Sequence, residues 1–187
     1  MLTISMINLV VFLGNKGKQY ARTRHNLPWM LIDYISFCET LTWKKKFNGE
    51  YAQYSFKGRN FHLLKPHTFI NRSGKSVQAC VCFFKLKPET LLVVHDDTEL
   101  PFNEFRFKTG GGLAGHNGLR NLAQSLGSHD FLRIRLGISK PSHGNLASYV
   151  LSAFSLSENN ILPQYLTSAA NALERCLIEG FNADLSS

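Results

Sequence analysis

At 187 residues, 44% of them hydrophobic, the chain is long enough for one domain that buries about 70% of the surface exposed on unfolding, so stabilising cross-links are not required. Its four cysteines, Cys38, Cys80, Cys82 and Cys176, show no C-x-x-C pair and no metal-ligand spacing with histidine, and the early apolar run 9–13 is too short for a bilayer span or a secretory leader. A disulfide scaffold, a metal-built fold and a membrane protein are therefore set aside in favour of a single domain, 1–187, in the cytoplasm; the formal charge of +8, from 21 Lys and Arg against 13 Asp and Glu, suits a polyanionic partner such as nucleic acid, although it also serves solubility.

Residues 9–13 predict a wholly apolar strand that runs into the loop Gly14-Asn15-Lys16-Gly17. Leu31, Ile32 and Ile35 recur at helical spacing, and Pro28 fits the first turn of that helix, where its missing amide is no loss. This leaves Arg24-His25-Asn26 at a helix mouth. Residues 51–56 and 61–64 predict a hairpin around Lys57-Gly58-Arg59-Asn60. Val77, Val81 and Phe84 mark a second helix, and residues 91–94 a fully apolar strand that delivers His95-Asp96-Asp97 to the C-terminal edge of a sheet, where ligands of open α/β sheets bind. A short strand at 105–107, expected to be antiparallel, precedes a glycine-rich stretch, Gly110 to Gly118, and a helix marked by Leu119, Leu122 and Leu126. Residues 132–138 predict the last strand, and 139–144 form the longest Pro/Gly/Ser-rich connection. A final helix fits 157–179, with either Ser155, in a Ser155-x-x-Glu158 capping box, or Ser157 as its cap, and Gly180 as its stop. The alternation predicts an α/β fold: a single domain with a twisted mixed sheet, mostly parallel at its centre, covered by helices on both faces.

Two phosphate-binding patterns fail on inspection. Gly110-x-Gly112-x-x-Gly115 matches a dinucleotide fingerprint, but the nearest acid, Asp130, precedes a strand where the ribose-binding acid should follow one. Gly74-Lys75-Ser76 resembles the end of a P-loop, yet Phe69 occupies the position of its first glycine. No cofactor is expected. His25 and Asp96 carry more: a histidine held by a carboxylate is kept in one tautomer and stabilised as it takes a proton, which suits a general base for water. No G-x-S-x-G elbow and no H-E-x-x-H spacing supplies a separate nucleophile or a metal. Asn15, Asn26, Asn71 and Asn117 each sit where a loop meets an apolar element, positions that suit either caps and turns or the gripping of a peptide main chain and an oxyanion. Arg106, Lys108, Arg133 and Arg135 flank the glycine-rich stretch and predict either a basic rim for phosphates or a solvated strand face.

Taken in order, Leu13-Gly14-Asn15-x-Gly17, Tyr20-x-x-Thr23-Arg24-His25-Asn26, Pro66-x-Thr68-Phe69-Ile70-Asn71-x-Ser73-Gly74-Lys75, Val94-His95-Asp96-Asp97 and Gly110 to Leu119 make the chain resemble the bacterial-type peptidyl-tRNA hydrolases, which cleave the ester joining a peptide to the 3′ ribose of tRNA. The resemblance spans most of the chain. It implies a cofactor-free, metal-free hydrolase with His25 as base, Asp96 orienting it and Asn15 polarising the ester. It also implies substrate contacts from Asn71, Asn117, Tyr20, Phe69, His116 and Asn26, and a clamp on the tRNA 5′-phosphate from Lys108 with Arg135. tRNA would be the partner of an otherwise monomeric protein with no protein partner. Phe12, Lys16, Pro28 and Ala114 depart from the family pattern, which implies altered loops around the cleft, with Lys16 a further phosphate contact; the C-terminus is shorter than in longer members. Two rivals stay open on the residues alone: a non-catalytic RNA binder using the same basic rim, and a hydrolase of another acyl ester or amide that would not need Lys108 and Arg135.

Overall fold

The apolar run that opens the chain becomes the middle of a sheet. In the computed structural model, which describes residues 6–181, β1 (Leu9–Phe12) lies between two parallel neighbours; the ends of the expected 1–187 unit, residues 1–5 and 182–187, lie outside the described residues. Its neighbours are β4 (Arg59–Pro66) and β5 (Leu91–Asp97), and β7 (Leu132–Gly137) continues the parallel set beyond β5. β2 (Lys44–Lys46) and β3 (Gly49–Phe56) add antiparallel strands at one side, and β6 (Phe105–Thr109) adds one at the other, giving a seven-stranded order β2-β3-β4-β1-β5-β7-β6. The expected mixed sheet with a parallel centre is what forms.

Period-two alternation divides the core. Val10, Phe12, Leu92 and Val94 face one layer, where α1 (Leu27–Ile32) and the long α5 (Leu156–Glu179) contribute Leu27, Leu31, Leu166 and Leu173. Leu9, Val11, Leu91 and Val93 face the other, where α2 (Ser73–Phe84) and α3 (Asn117–Leu126) contribute Val77, Cys80, Leu119 and Leu122. Each of these side chains is essentially sealed, and full burial of a Val or Leu is worth about 1.5–3 kcal/mol, so the two layers fix which face each strand residue presents.

Several expected boundaries shift. β5 does not stop at Val94: pairing with β7 continues through His95, Asp96 and Asp97, so the acids are part of the strand rather than of a loop after it. Ile35 is buried but lies past α1, where Tyr34 and Ile35 amides bond to Leu31 and Ile32 carbonyls and tighten the chain into turns. Ser155, not Ser157, caps α5, and both halves of its box with Glu158 form. Lys44–Lys46, where no element was expected, pairs with β3 through a two-residue turn in which Phe47 (φ 55°) and Asn48 (φ 53°) are left-handed. A further short helix, α4 (Leu146–Val150), was not expected; Asn145 caps it by accepting from the Ala147 amide at 2.7 Å. No helix among the described residues is long and apolar enough to cross a membrane.

Candidate active site

A cleft of about 630 Å³ opens over the C-terminal ends of β1 and β5. Its floor carries His25, Asp96 and His116, one wall the turn Phe69–Arg72, and the opposite wall α4 with Leu151. The single 3₁₀ turn Arg24–Asn26 brings His25 to the edge of Asp96, which β5 has carried to the end of the sheet.

The carboxylate of Asp96 receives two imidazoles. His25 Nδ1 lies 2.7 Å from Oδ2 and 2.8 Å from Oδ1, and His116 Nε2 lies 3.1 Å from Oδ1. An ionised carboxylate only accepts, so both ring nitrogens carry protons in these bonds. His25 thereby keeps Nε2 as its free nitrogen, with no protein partner among the described residues. The tautomer of His116 is fixed independently, because its Nδ1 accepts the Leu119 amide at 3.2 Å and caps α3. Burial pulls the His25 imidazole down, but the charge and hydrogen bond of Asp96 together outweigh it and leave it above its ordinary value. Burial alone would push Asp96 up; the two imidazoles instead hold it far below the usual carboxylate range. His95 beside it is 1% exposed and driven well below its ordinary value by burial and by His116, so it stays neutral, donating from Nδ1 to the Asp96 carbonyl at 2.8 Å.

Asn15 is presented with equal care. Its side-chain oxygen accepts the Ile70 amide at 2.8 Å, which leaves the NH₂ end available at the cleft, and its own backbone is bracketed by Asn26, whose Oδ1 accepts the Asn15 amide at 2.8 Å while Nδ2 donates to the Asn15 carbonyl at 2.9 Å. This corrects the expectation for Asn26. Fully buried, with both ends of its amide spent on Asn15, it is not among the residues that line the cleft. Tyr20, Phe69, Asn71, His116 and Asn117 all line the cleft, with Phe69 and both asparagines exposed.

The four basic residues around the glycine-rich stretch separate in role. Cross-strand register places Arg106 opposite Arg135 and Lys108 opposite Arg133, so all four project from one face. Arg133 is not part of a rim: it is 1% exposed, and one amino group donates to the carbonyls of Gly110 and Gly112, the latter at 3.1 Å, pinning the loop. Arg135 donates from Nε to Asp97 at 2.7 Å, and Lys108 has no carboxylate partner among the described residues. Neither Lys108 nor Arg135 lines the cleft itself. Asp97 also accepts the Glu99 amide at 2.8 Å, which fixes the turn that follows β5. Ala114, in a glycine position by resemblance, adopts φ 47° and lines the cleft.

Three features had escaped the sequence: the bond from His116 to Asp96, the α4 wall, and the burial of Arg24 and Arg133. Asn145 followed by Leu146 and Val150 was the available signal for α4. His25, Asp96 and His116 are also the one group of three potential metal ligands among the described residues, with their ligand atoms within 4.8 Å of one another. The tautomers argue against coordination, since a metal on His116 Nε2 would require that ring to lose its proton while Nδ1 still accepts from Leu119.

Comparison with known proteins gives matches over most of the chain. A family model described as peptidyl-tRNA hydrolase matches residues 9–187. A peptidyl-tRNA hydrolase of Geotalea uraniireducens is 45% identical over 181 residues, covering 96% of this chain and 95% of that protein, and one of Treponema pallidum is 47% identical over 163 residues, covering 84% and 81%. A solved peptidyl-tRNA hydrolase of Acinetobacter baumannii superposes with a TM-score of 0.86 at 31% identity, covering 96% of this chain and 92% of that one.

Proposed function

The chain belongs to the peptidyl-tRNA hydrolase family and is a hydrolase, and from that premise we propose that it cleaves the ester between a peptide and the 3′ ribose of tRNA by direct attack of water activated by His25. The observation that carries this reading is the hydrogen bond from His25 Nδ1 to Asp96, which leaves Nε2 as an unprotonated base beside the cleft. Nε2 removes a proton from water as the oxygen bonds to the ester carbonyl carbon. The NH₂ of Asn15, aimed by the Ile70 amide, donates to the developing oxyanion. When the tetrahedral intermediate collapses, the bond to the ribose 3′ oxygen breaks and the imidazolium returns its proton to that oxygen. Free peptide and tRNA result, and the base is restored. Asp96 stabilises the transient imidazolium, and His116 is a second donor that keeps the carboxylate ionised and oriented.

Asn71 and Asn117 would hold the peptide main chain, with Tyr20 and Phe69 as apolar contacts; Lys108 and the free donors of Arg135 would take the 5′-phosphate. No cofactor enters this scheme, and the tRNA released would return to translation in the cytoplasm. Purified protein incubated with N-acetyl-aminoacyl-tRNA should release the acyl group, and His25→Ala should reduce turnover about a thousandfold. Undiminished turnover in that variant would end the proposal. Tight, salt-sensitive binding of tRNA without ester loss would favour the RNA-binder alternative.

A further inference from the structure

We infer that Arg24 is a positioning residue: it sets the placement of the α4 wall relative to His25, so that an acyl group lying against the wall is within reach of the base. The inference rests on the ester-hydrolase reading of the cleft. It starts from a weakness in that wall. α4 is five residues long and buries none of them fully; its own anchors are the Tyr149 hydroxyl, which donates to the Ile138 carbonyl at 2.5 Å, and partial packing of Tyr149 and Val150 on the core, so it needs further support. Yet Asn145, Leu146, Ala147, Val150 and Leu151 form one side of the cleft.

What roots this segment is a guanidinium from the far end of the chain. Arg24 is 6% exposed, and a buried charge needs partners. The partners it has lie in residues 149–158 and engage both terminal nitrogens, leaving Nε buried without one among the described residues. Nη1 donates to Ser152 Oγ at 2.9 Å and to the Ala153 carbonyl, and Nη2 donates to Glu158 Oε2 at 2.5 Å. The guanidinium sits 4.3 Å from the Tyr149 ring centroid and 5.0 Å from that of Phe154. The backbone joins in, with the Arg24 amide donating to the Ser152 carbonyl at 3.0 Å and Thr23 pairing with Ala153 in an isolated antiparallel bridge. His25 is the next residue of the same 3₁₀ turn, so one rigid joint holds both the base and the wall that faces it.

Lysine keeps the charge but not the planar fork, and cannot reach Ser152, Ala153 and Glu158 together. Arg24→Lys is therefore expected to raise KM for N-acetyl-aminoacyl-tRNA about tenfold and lower kcat less than threefold, because misplacement of a wall costs binding and orientation before chemistry. The acid limb of the pH profile should not move, since Arg24 touches neither Asp96 nor His116. Amide hydrogen exchange across 145–153 should quicken. A purely structural Arg24 would lower Tm while leaving KM and kcat per folded molecule unchanged, and that result would overturn the inference. So would a loss confined to kcat with a displaced pH limb, which would mean that Arg24 acts on the base instead. If Arg24→Lys does not fold, Glu158→Gln weakens the same joint by one charge-assisted bond and should quicken exchange in 145–153 and raise KM about threefold; unchanged exchange and KM there would equally overturn it. The exchange measurement needs no substrate, so it judges the joint even if the wild-type protein releases no ester.

Discussion

His25 and Asp96 each depend on the other's charge, and the dependence has a sign that can be measured. The Asp96 carboxylate holds the folded imidazole above its ordinary value, so on the proposed mechanism protonation on the acidic side would disable His25, and kcat/KM should rise through a correspondingly raised midpoint as pH increases. Asp96→Asn removes the negative charge that raises the imidazole, so the limb should move to lower pH while kcat falls by about 10²–10⁴, because the carboxamide also ceases to hold the working tautomer. An unmoved limb would show that Asp96 does not tune the base. Linkage gives a second reading of the same pair. The raised His25 contributes stability that is complete below its unfolded value and is lost as pH rises through the folded one; the depressed Asp96 contributes stability that is present above 3.8 and is lost as pH falls below it. At this scale the sequence was readable where a polar residue ends an apolar run: Asn15 after β1, Asp96 near the end of β5, His25 at a helix mouth. It was unreadable where partners meet through a loop. The bond between His116 and Asp96 exists because residues 110–116 fold back across the sheet edge, and Asn26 resembles a substrate ligand until both ends of its amide are seen to be spent on Asn15.

Elements with strong periodicity were legible, and those defined by pairing or capping alone were not. The leucines and valines of β1, β5, α2 and α3 declare two buried layers, whereas three consecutive lysines in β2 carry no alternation at all and become a strand only because the Phe47-Asn48 turn returns the chain onto β3. Lysines on such an edge also deter pairing with another molecule. Two substitutions test how tightly the elements are joined. A Cβ at Gly74 would stand 2.1 Å from Ser125 Oγ and 2.6 Å from the Asn121 carbonyl, so α2 approaches α3 as closely as it does only because residue 74 has no side chain. Gly74→Ala should cost about 1–3 kcal/mol of stability, read by chemical denaturation. Ser155→Ala breaks one half of the box that starts α5 and should lower stability by about 1 kcal/mol, or roughly 3 °C in Tm, with the chemistry of the cleft untouched.

For the whole molecule, the charge of +8 overstates what the face around the glycine-rich stretch can offer a phosphate. Arg24 and Arg133 are spent inside the fold, Arg106 meets Glu104 at 3.4 Å, and Arg135 is partly engaged by Asp97, which leaves Lys108 the least committed cation of its face. Lys108→Ala should raise KM for a tRNA ester several-fold, leave kcat unchanged, and reduce the slope of log KM against log salt by about 1. The effect should vanish with tRNA lacking its 5′-phosphate; persistence there would remove Lys108 from phosphate recognition. Chain order adds a consequence in time. Asp96 lies 71 positions after the His25 it holds, and the carboxylate that closes the Arg24 joint lies 134 positions after that arginine. During synthesis these groups therefore exist long before they can meet, and the joint between Arg24 and Glu158 closes only after residue 158 has left the ribosomal tunnel.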